Sequence, residues 1–267
     1  MADETDRLWV GSMPEAYERW LVPTVFQPFA VDLARRAASR APRRILELAA
    51  GTGVLTRELV ASIGSADVTA TDFNDAMVQL GRERVPGAAW QQADAMELPF
   101  GRDEFDLIAC QFGVMFFPDK HSAFAQAHRV LTPDGTLLVS TWSTLETHDF
   151  QDALVAGLER AFPQDAPTFM VSVPHGYADL DVVVADVAAA GFRCVVAESV
   201  TLDGRAASAA DVATGYCTGT PLRAEIEARG DLAATTAIVA QEMEARLGAG
   251  SVTGHMTAHV VEAVPVA

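Results

Sequence analysis

A short apolar run, Arg44-Ile45-Leu46-Glu47-Leu48, ends in Ala49-Ala50-Gly51-Thr52-Gly53, and Asp72 follows nineteen positions after Gly53. These residue types at this spacing suit one task, holding an adenosine-containing ligand. Glycines let the backbone approach a ligand closely and take φ values closed to other residues. An acid about twenty residues beyond such a turn is placed to accept hydrogen bonds from ribose hydroxyls. The turn also excludes ligands. A dinucleotide fingerprint, G-x-G-x-x-G/A, requires a small third residue, and Thr56 stands there. A P-loop requires a Lys after its glycines, and neither Lys nor Arg lies in this turn. Glu47 would repel a pyrophosphate but suits a cationic amino acid. S-adenosylmethionine fits, with a sulfonium, an ammonium group and no phosphate.

The elements that must position these residues follow from the apolar pattern. Strands are read at 43–48, 67–71, 88–92, 105–110 and 136–141, with helices between them. Asp103-Glu104 and Pro133-Asp134-Gly135 are turn signals ahead of strands four and five. The intervening helix, 120–130, carries Phe124, Ala127 and Leu131 on one face. Parallel strands joined by helices predict a doubly wound α/β sheet, which binds ligands at the carboxyl ends of its strands. Gly51, Asp72, Asp94, Gln111 and Trp142 all fall at such ends. Residues 12–39 show two helical patterns, Pro14 to Trp20 and Phe26 to Ala38, the second with Phe29, Leu33 and Ala37 at helical spacing. Beyond Trp142 the pattern predicts a helix over 149–162 and a loop and lid segment interrupted by Pro163, Pro167 and Pro174. A helix over 181–190, a strand over 192–202 and helices over 208–247 follow, with a break from Gly215 to Pro221. An apolar strand from His255 to Val266 comes last.

At this point the chain resembles the class I S-adenosylmethionine-dependent methyltransferases, and within them the small-molecule group of the quinone-biosynthesis (methyltransferase type 11) enzymes. Glu47-Leu48-Ala49-Ala50-Gly51-Thr52-Gly53 matches that family's E-x-G-x-G-x-G, with Ala49 in place of the first glycine. Val68 to Met77, Gln92 to Phe100, Phe105 to Pro118 and Leu131 to Trp142 match the later strands in order and spacing. The likeness is strong over residues 43–142 and weaker at Ala188 to Phe192. It implies a Rossmann-like seven-stranded sheet whose last strand inserts antiparallel between five and six. An N-terminal helical lid and a helical elaboration near the C-terminus complete the expected fold, as one domain over 1–267: lid 1–40, cofactor-binding core 41–142, substrate-side remainder 143–267. The implied cofactor-binding residues are Glu47, Ala49, Gly51, Thr52, Gly53, Asp72, Phe73, Met77, Asp94, Ala95, Met96, Gln111 and Phe112, with Asp94 reaching the adenine amine. Tyr17 in the lid joins them; it and Trp20 alternatively pack helix to domain. Each piece has a local alternative as well. The glycines can form an ordinary turn, Asp72 can cap the next helix, and Asp94 can be a plain loop acid.

Composition narrows the function. A net charge of −17 gains nothing from counterion release on nucleic acid, and no basic run with interleaved aromatics appears. An anionic membrane would repel such a chain, and no run of eighteen apolar residues indicates a membrane span. Met1 to Asp6 is acidic, unlike a secretory signal. Cys110, Cys194 and Cys217 form no C-x-x-C pair. Cys110 and Cys194 read as core, which together suits a reducing cytoplasm. The histidines lack metal-ligand spacing apart from His255 and His259, which sit in a strand pattern, so no metal is expected. A homodimer is compatible with the sequence.

Methyl transfer from a sulfonium is an in-line displacement, and alignment of nucleophile, carbon and sulfur can supply ~7–11 kcal/mol. A general base helps when the acceptor is a hydroxyl or an acidic carbon. His148 and His175 are the candidates, against the alternative of exposed loop histidines. His128 and His259 read as structural, and His121 sits at a helix start. Phe112, Met115, Phe116, Phe117 and Trp142 suggest an apolar or aromatic acceptor pocket, or packing core. The expected activity is methylation of O or C in a small metabolite. The alternatives are an S-adenosylmethionine-binding protein without that activity, one that acts on a protein partner, and a nicotinamide-dependent oxidoreductase that Thr56 argues against.

Overall fold

The computed structural model describes residues 13–266; the acidic stretch at residues 1–6 lies outside them. A helical turn, Met13–Ala16, continues into a π-helical stretch, Tyr17–Phe26, and then into α1, Gln27–Ser39. The two helical patterns expected over 12–39 are therefore one unbroken run. Pro23 lies inside the wide π turns, where its missing N–H does not end the helix. The chain then gives β1 (Arg44–Glu47), α2 (Val54–Ser62), β2 (Asp67–Asp72), α3 (Asp75–Arg84), β3 (Ala89–Gln92), β4 (Phe105–Gln111), α4 (Lys120–Val130) and β5 (Leu131–Trp142). It continues through α5 (Asp149–Ala161), a helical turn Phe169–Ser172, α6 (Leu180–Ala189), β6 (Phe192–Ala206), α7 (Ala209–Gly219), α8 (Leu222–Glu227), α9 (Leu232–Leu247) and β7 (Val252–Pro265).

The seven strands form one sheet in the order β3-β2-β1-β4-β5-β7-β6. β1 through β5 pair in parallel, and β7 runs antiparallel to β5 with Leu137 opposite Ala263 and Trp142 opposite Ala258. The doubly wound sheet and the antiparallel insertion are as expected. β5 starts five residues earlier than the pattern predicts. The turn signal Pro133-Asp134-Gly135 is an irregularity within the strand, where the register with β4 jumps from Phe105–Leu131 to Leu107–Thr136.

Two compact units divide the chain. Among the described residues, one comprises 29–143, 177–200 and 258–266; the other comprises 13–28, 144–176 and 201–257. The first holds β1–β5 with their helices. Ile45, Leu46, Leu107, Ile108, Leu137 and Leu138 are buried at its centre, as near-continuous apolar strands of a sheet covered on both faces must be. There α1 is tied down by Arg36, whose guanidinium bridges Asp32 and Glu198, and by Arg40, which pairs with the buried Glu262. His259 is fixed between Ser199 and the Ala178 carbonyl, and the His128 ring stands edge-on to Phe192, so both histidines are structural, as expected. Cys110 is buried but Cys194 is only half-buried, because β6 is an edge strand whose inward-facing residues stay partly exposed; it is not a core residue.

The second unit is helical. α5 packs on α9, and α7 packs on α9 and on the π-helical stretch. The expected helical region 208–247 is three helices with breaks at 220–221 and 228–231, the first falling after Gly219 rather than from Gly215. Gly215 lies inside α7, where a Cβ would strike Trp20 and Leu21.

Candidate functional site

In the first unit the carboxyl ends of β1, β2 and β4 are joined by backbone bonds that fix the glycine turn. Leu48 N donates to Ala109 O and Ala50 N to Thr71 O, both at 2.9 Å, and Gly53 N donates to Ala50 O at 3.0 Å. Ala49, Gly51 and Gly53 all have positive φ, at 52°, 56° and 90°. The alanine in the first glycine position therefore keeps the glycine conformation. Its methyl group is accommodated by Gly113, where a Cβ would lie 2.4 Å from it. Gly53 is needed for packing, since a Cβ would come within 3.0 Å of the Trp90 ring. Gly51 differs: a Cβ there would meet nothing within 4 Å, so the turn presents open backbone at that point.

Asp72 is the last residue of β2. Its Oδ2 accepts from Gly51 N at 2.8 Å and its Oδ1 from Asn74 N at 2.9 Å. Helix α3 is capped by Asn74, whose side chain accepts from Met77 N. Asp72 therefore does not cap that helix; it joins the end of β2 to the glycine turn. Phe73 is half-buried beside it, with its carbonyl held by Gln92 Nε2 at 2.8 Å, and Met77 is buried. Two residues past β3, Asp94 forms a tight turn, taking Met96 N on Oδ1 at 2.8 Å and Glu97 N on its carbonyl at 3.0 Å. Asp94, Ala95 and Met96 are all half-buried.

Glu47 ends β1 and is buried. Thr56 Oγ1 donates to its Oε2 at 2.6 Å, so the residue that breaks the dinucleotide fingerprint serves the acid. Thr52 beside it in the turn is also buried. Burial pushes the Glu47 carboxyl up to about 8, with the negative Asp72 adding to the shift against the Thr56 bond. A carboxyl in that state is ready to ionise when a cation arrives.

At the end of β4, Gln111 is buried, and Phe112 follows with φ of 54°, a genuine outlier for a bulky residue. The Phe112 ring stacks on Trp142 with centroids 3.5 Å apart, and Phe29 stands edge-on to both, at 5.4 Å and 5.1 Å. Met115 is buried as well. Of the aromatics suggested for an acceptor pocket, Phe112 and Trp142 are thus packed on one another. Ser140, the register partner of Gln111 on β5, is a polar residue that sequence reasoning missed; its hydroxyl is buried with no hydrogen-bond partner among the described residues. Thr56, Asn74 and Trp90 were also missed, since their roles depend on contacts across the turn.

The second unit holds Tyr17, His148 and His175. Tyr17 is half-buried with its ring 4.9 Å from Phe26. His148 and His175 are not exposed loop residues. Both are buried, and their ring centroids are 4.6 Å apart. Among the described residues no cluster of metal-ligating side chains occurs, and no helix is long and apolar enough to cross a membrane.

A family model described as a methyltransferase domain matches residues 45–135. The ubiquinone/menaquinone biosynthesis C-methyltransferase UbiE of Psychromonas ingrahamii is 38% identical over 130 residues, covering 46% of this chain and 51% of that protein. The protein of the same name from Ectopseudomonas mendocina is 30% identical over 193 residues, covering 66% of this chain and 74% of that protein. The chain spans about half the length of other curated relatives it matches. Among solved structures, the YcgJ protein from Bacillus subtilis superposes with a TM-score of 0.56 at 18% identity, covering 90% of this chain and 99% of that one, which shows the shared fold.

Proposed function

Because the chain belongs to the class I S-adenosylmethionine-dependent methyltransferases, we propose that it transfers a methyl group to an O or C atom of a small apolar or aromatic metabolite. The observation that carries this reading is the pairing of Asp72 with the open backbone at Gly51. Asp72 accepts from the Gly51 and Asn74 N–H groups, and a carboxylate offers about four lone-pair sites, the kind of acceptor a ribose hydroxyl needs. The Gly51 face leaves room that a side chain would fill. These residues fit the adenosine portion of S-adenosylmethionine, and Asp94 at the end of β3 fits the adenine amine. Glu47 fits the cationic amino-acid end, and the Ser140 hydroxyl adds an unused polar group at the same strand edge.

When bound, S-adenosylmethionine supplies an electrophilic methyl group on a positively charged sulfur. The protein's part is positional. The bonds among β1, β2 and β4 fix Glu47, Asp72 and the turn before any ligand arrives, so little ordering remains to be done on binding. His148 or His175 serves as general base where the acceptor is a hydroxyl or an acidic carbon. The three free cysteines agree with action in a reducing compartment such as the cytoplasm. The deciding experiment is calorimetry of the purified protein with S-adenosylmethionine, S-adenosylhomocysteine and NAD. Micromolar binding of the first two without NAD supports the reading, and binding of NAD alone overturns it. Formation of S-adenosylhomocysteine with small acceptors then separates an enzyme from a mere binding protein.

A further inference from the structure

Between Phe162 and Gly176 the second unit has a single helical turn, Phe169–Ser172, so His175 stands on a segment with little regular structure of its own. Such a segment keeps one position only where specific bonds hold it. Those bonds begin at α8. Glu225 Oε2 accepts from Thr168 N at 2.7 Å and from Phe169 N at 3.3 Å, and bonds from backbone N–H groups to a carboxylate are the stronger kind. Just past α8, the Arg229 fork ties the same two stretches together. Its Nε donates to the Asp165 carbonyl at 2.9 Å and its Nη1 to the Glu225 carbonyl at 3.0 Å. From Thr168 an unbroken set of bonds runs on to His175. Val171 N and Ser172 N donate to Thr168 O, Val173 N to Phe169 O and His175 N to Met170 O, all at 2.9–3.2 Å. The Phe169 and Met170 side chains are buried beneath this turn, and Gly176 closes it tightly, since a Cβ there would lie 2.2 Å from Ser172 O. His148 is fixed separately at the start of α5, where its N–H donates to Leu145 O at 3.0 Å. The two imidazoles then meet edge to face, with centroids 4.6 Å apart and planes at 66°.

We propose that Glu225 and Arg229 are positioning residues for the His148–His175 pair, and that α8 is the anchor to which the His175 segment is tied. Two rings on separate segments keep one mutual geometry only if both backbones are held. α5 holds His148 through its own helix start; the Glu225 and Arg229 bonds do the same for His175 from seven and four positions beyond the break after α7 that the proline at 221 opens. Neither residue touches a ring, so both act through the backbone of 165–175. That the pair moves a proton, for which reach and orientation are the first requirement, rests on the methyl-transfer reading; its placement by α8 does not.

The test uses the full chain with its histidine rings labelled for NMR, and melting temperatures are recorded on the same samples. In wild type the His148 and His175 ring protons should share a cross-peak, as rings this close do. Glu225→Ala should lose that cross-peak. Glu225→Gln should restore it, because a carboxamide oxygen can accept from the same two N–H groups. Arg229→Ala leaves the Glu225 carboxylate in place and should also weaken the cross-peak; it carries the test if Glu225→Ala does not fold. The His128 and His259 signals of the first unit should keep their positions in every variant. A folded Glu225→Ala or Arg229→Ala that melts lower yet keeps the wild-type cross-peak overturns the proposal, since that is the behaviour of a residue that only stabilises the fold. S-adenosylhomocysteine binding on the same samples keeps the two readings apart. Its retention alongside a ring pair indifferent to both residues overturns this proposal alone, and its failure in wild type alongside a ring pair that follows Glu225 overturns the methyl-transfer reading alone.

Discussion

The backbone N–H of Gly51 donates to Oδ2 of Asp72 at 2.8 Å, so an acid on one strand holds the turn that leaves its neighbour. Asp72 therefore has two functions that substitution can separate. Asp72→Asn keeps an acceptor for Gly51 but removes the charge. It should weaken S-adenosylhomocysteine binding by about 1.5–3 kcal/mol, the range for hydrogen bonds to charged groups, and cost about 0.5–1.5 kcal/mol of stability, since its NH2 group then faces the Asn74 N–H. Asp72→Ala should lose the Gly51 and Asn74 bonds together, roughly 1–3 kcal/mol of stability. Calorimetry and urea denaturation measure the two effects, and unchanged affinity in both variants would refute the placement of Asp72 in the site.

Gly51 and Gly53 lie two residues apart and should respond oppositely. At Gly53 a Cβ meets Trp90 at 3.0 Å with φ at 90°, so Gly53→Ala should destabilise the protein by roughly 1–3 kcal/mol. At Gly51 nothing lies within 4 Å, so Gly51→Ala should cost only about 1 kcal/mol for the left-handed backbone while reducing cofactor affinity more than tenfold. Equal effects of both variants on affinity and stability would show that the turn is merely structural.

Ala49 occupies a glycine conformation with φ of 52°. Ala49→Gly removes that strain, about 1–2 kcal/mol, against about 0.5–1 kcal/mol of added chain entropy. Stability should stay level or rise slightly. Ala49→Val should fall by more than 2 kcal/mol, because a branched side chain would be driven toward Gly113. Denaturant midpoints of the two variants check the ordering.

Burial raises Glu47 in the folded state to about 8 from an ordinary 4.5. A raised folded value means that the protonated group favours folding at low pH. That contribution is lost as pH climbs from about 4.5 to about 8. Glu47→Gln cannot titrate, so its stability relative to wild type should be least near pH 4.5 and grow up to pH 8. A cationic ligand favours the ionised carboxyl, so binding of S-adenosylmethionine near pH 7 should release a proton. Calorimetry in buffers of different ionisation enthalpy measures this, and proton uptake would contradict it.

Much of this was legible in the chain because the parallel strands are buried. Ile45-Leu46, Leu107-Ile108 and Leu137-Leu138-Val139 read as strands for that reason, and the glycine turn with Asp72 follows from their ends. The signals that misled were local. The two helical patterns leave a gap between Trp20 and Phe26, which the π-helical stretch containing Pro23 fills. Pro133-Asp134-Gly135 reads as a turn, but the register jump keeps it inside β5. His148 and His175 lie 27 positions apart in polar surroundings, and nothing in that spacing announces that their rings meet in an interior. The partners of Glu47 and the fit of Trp90 under Gly53 depend on contacts across elements, which no single stretch of sequence records.

The antiparallel β7 lies between β5 and β6 although it is made after both. A growing chain leaving the ribosome can therefore assemble β1 through β5 early, but β6 must wait without its sheet neighbour while α7, α8 and α9 are synthesised. Only when β7 emerges does one segment close the exposed side of β5 and dock β6. Completion of the sheet is thus set by the latest strand, and a molecule stalled before it would display two unsatisfied edges at once, the kind of surface that chaperones bind and that aggregation exploits.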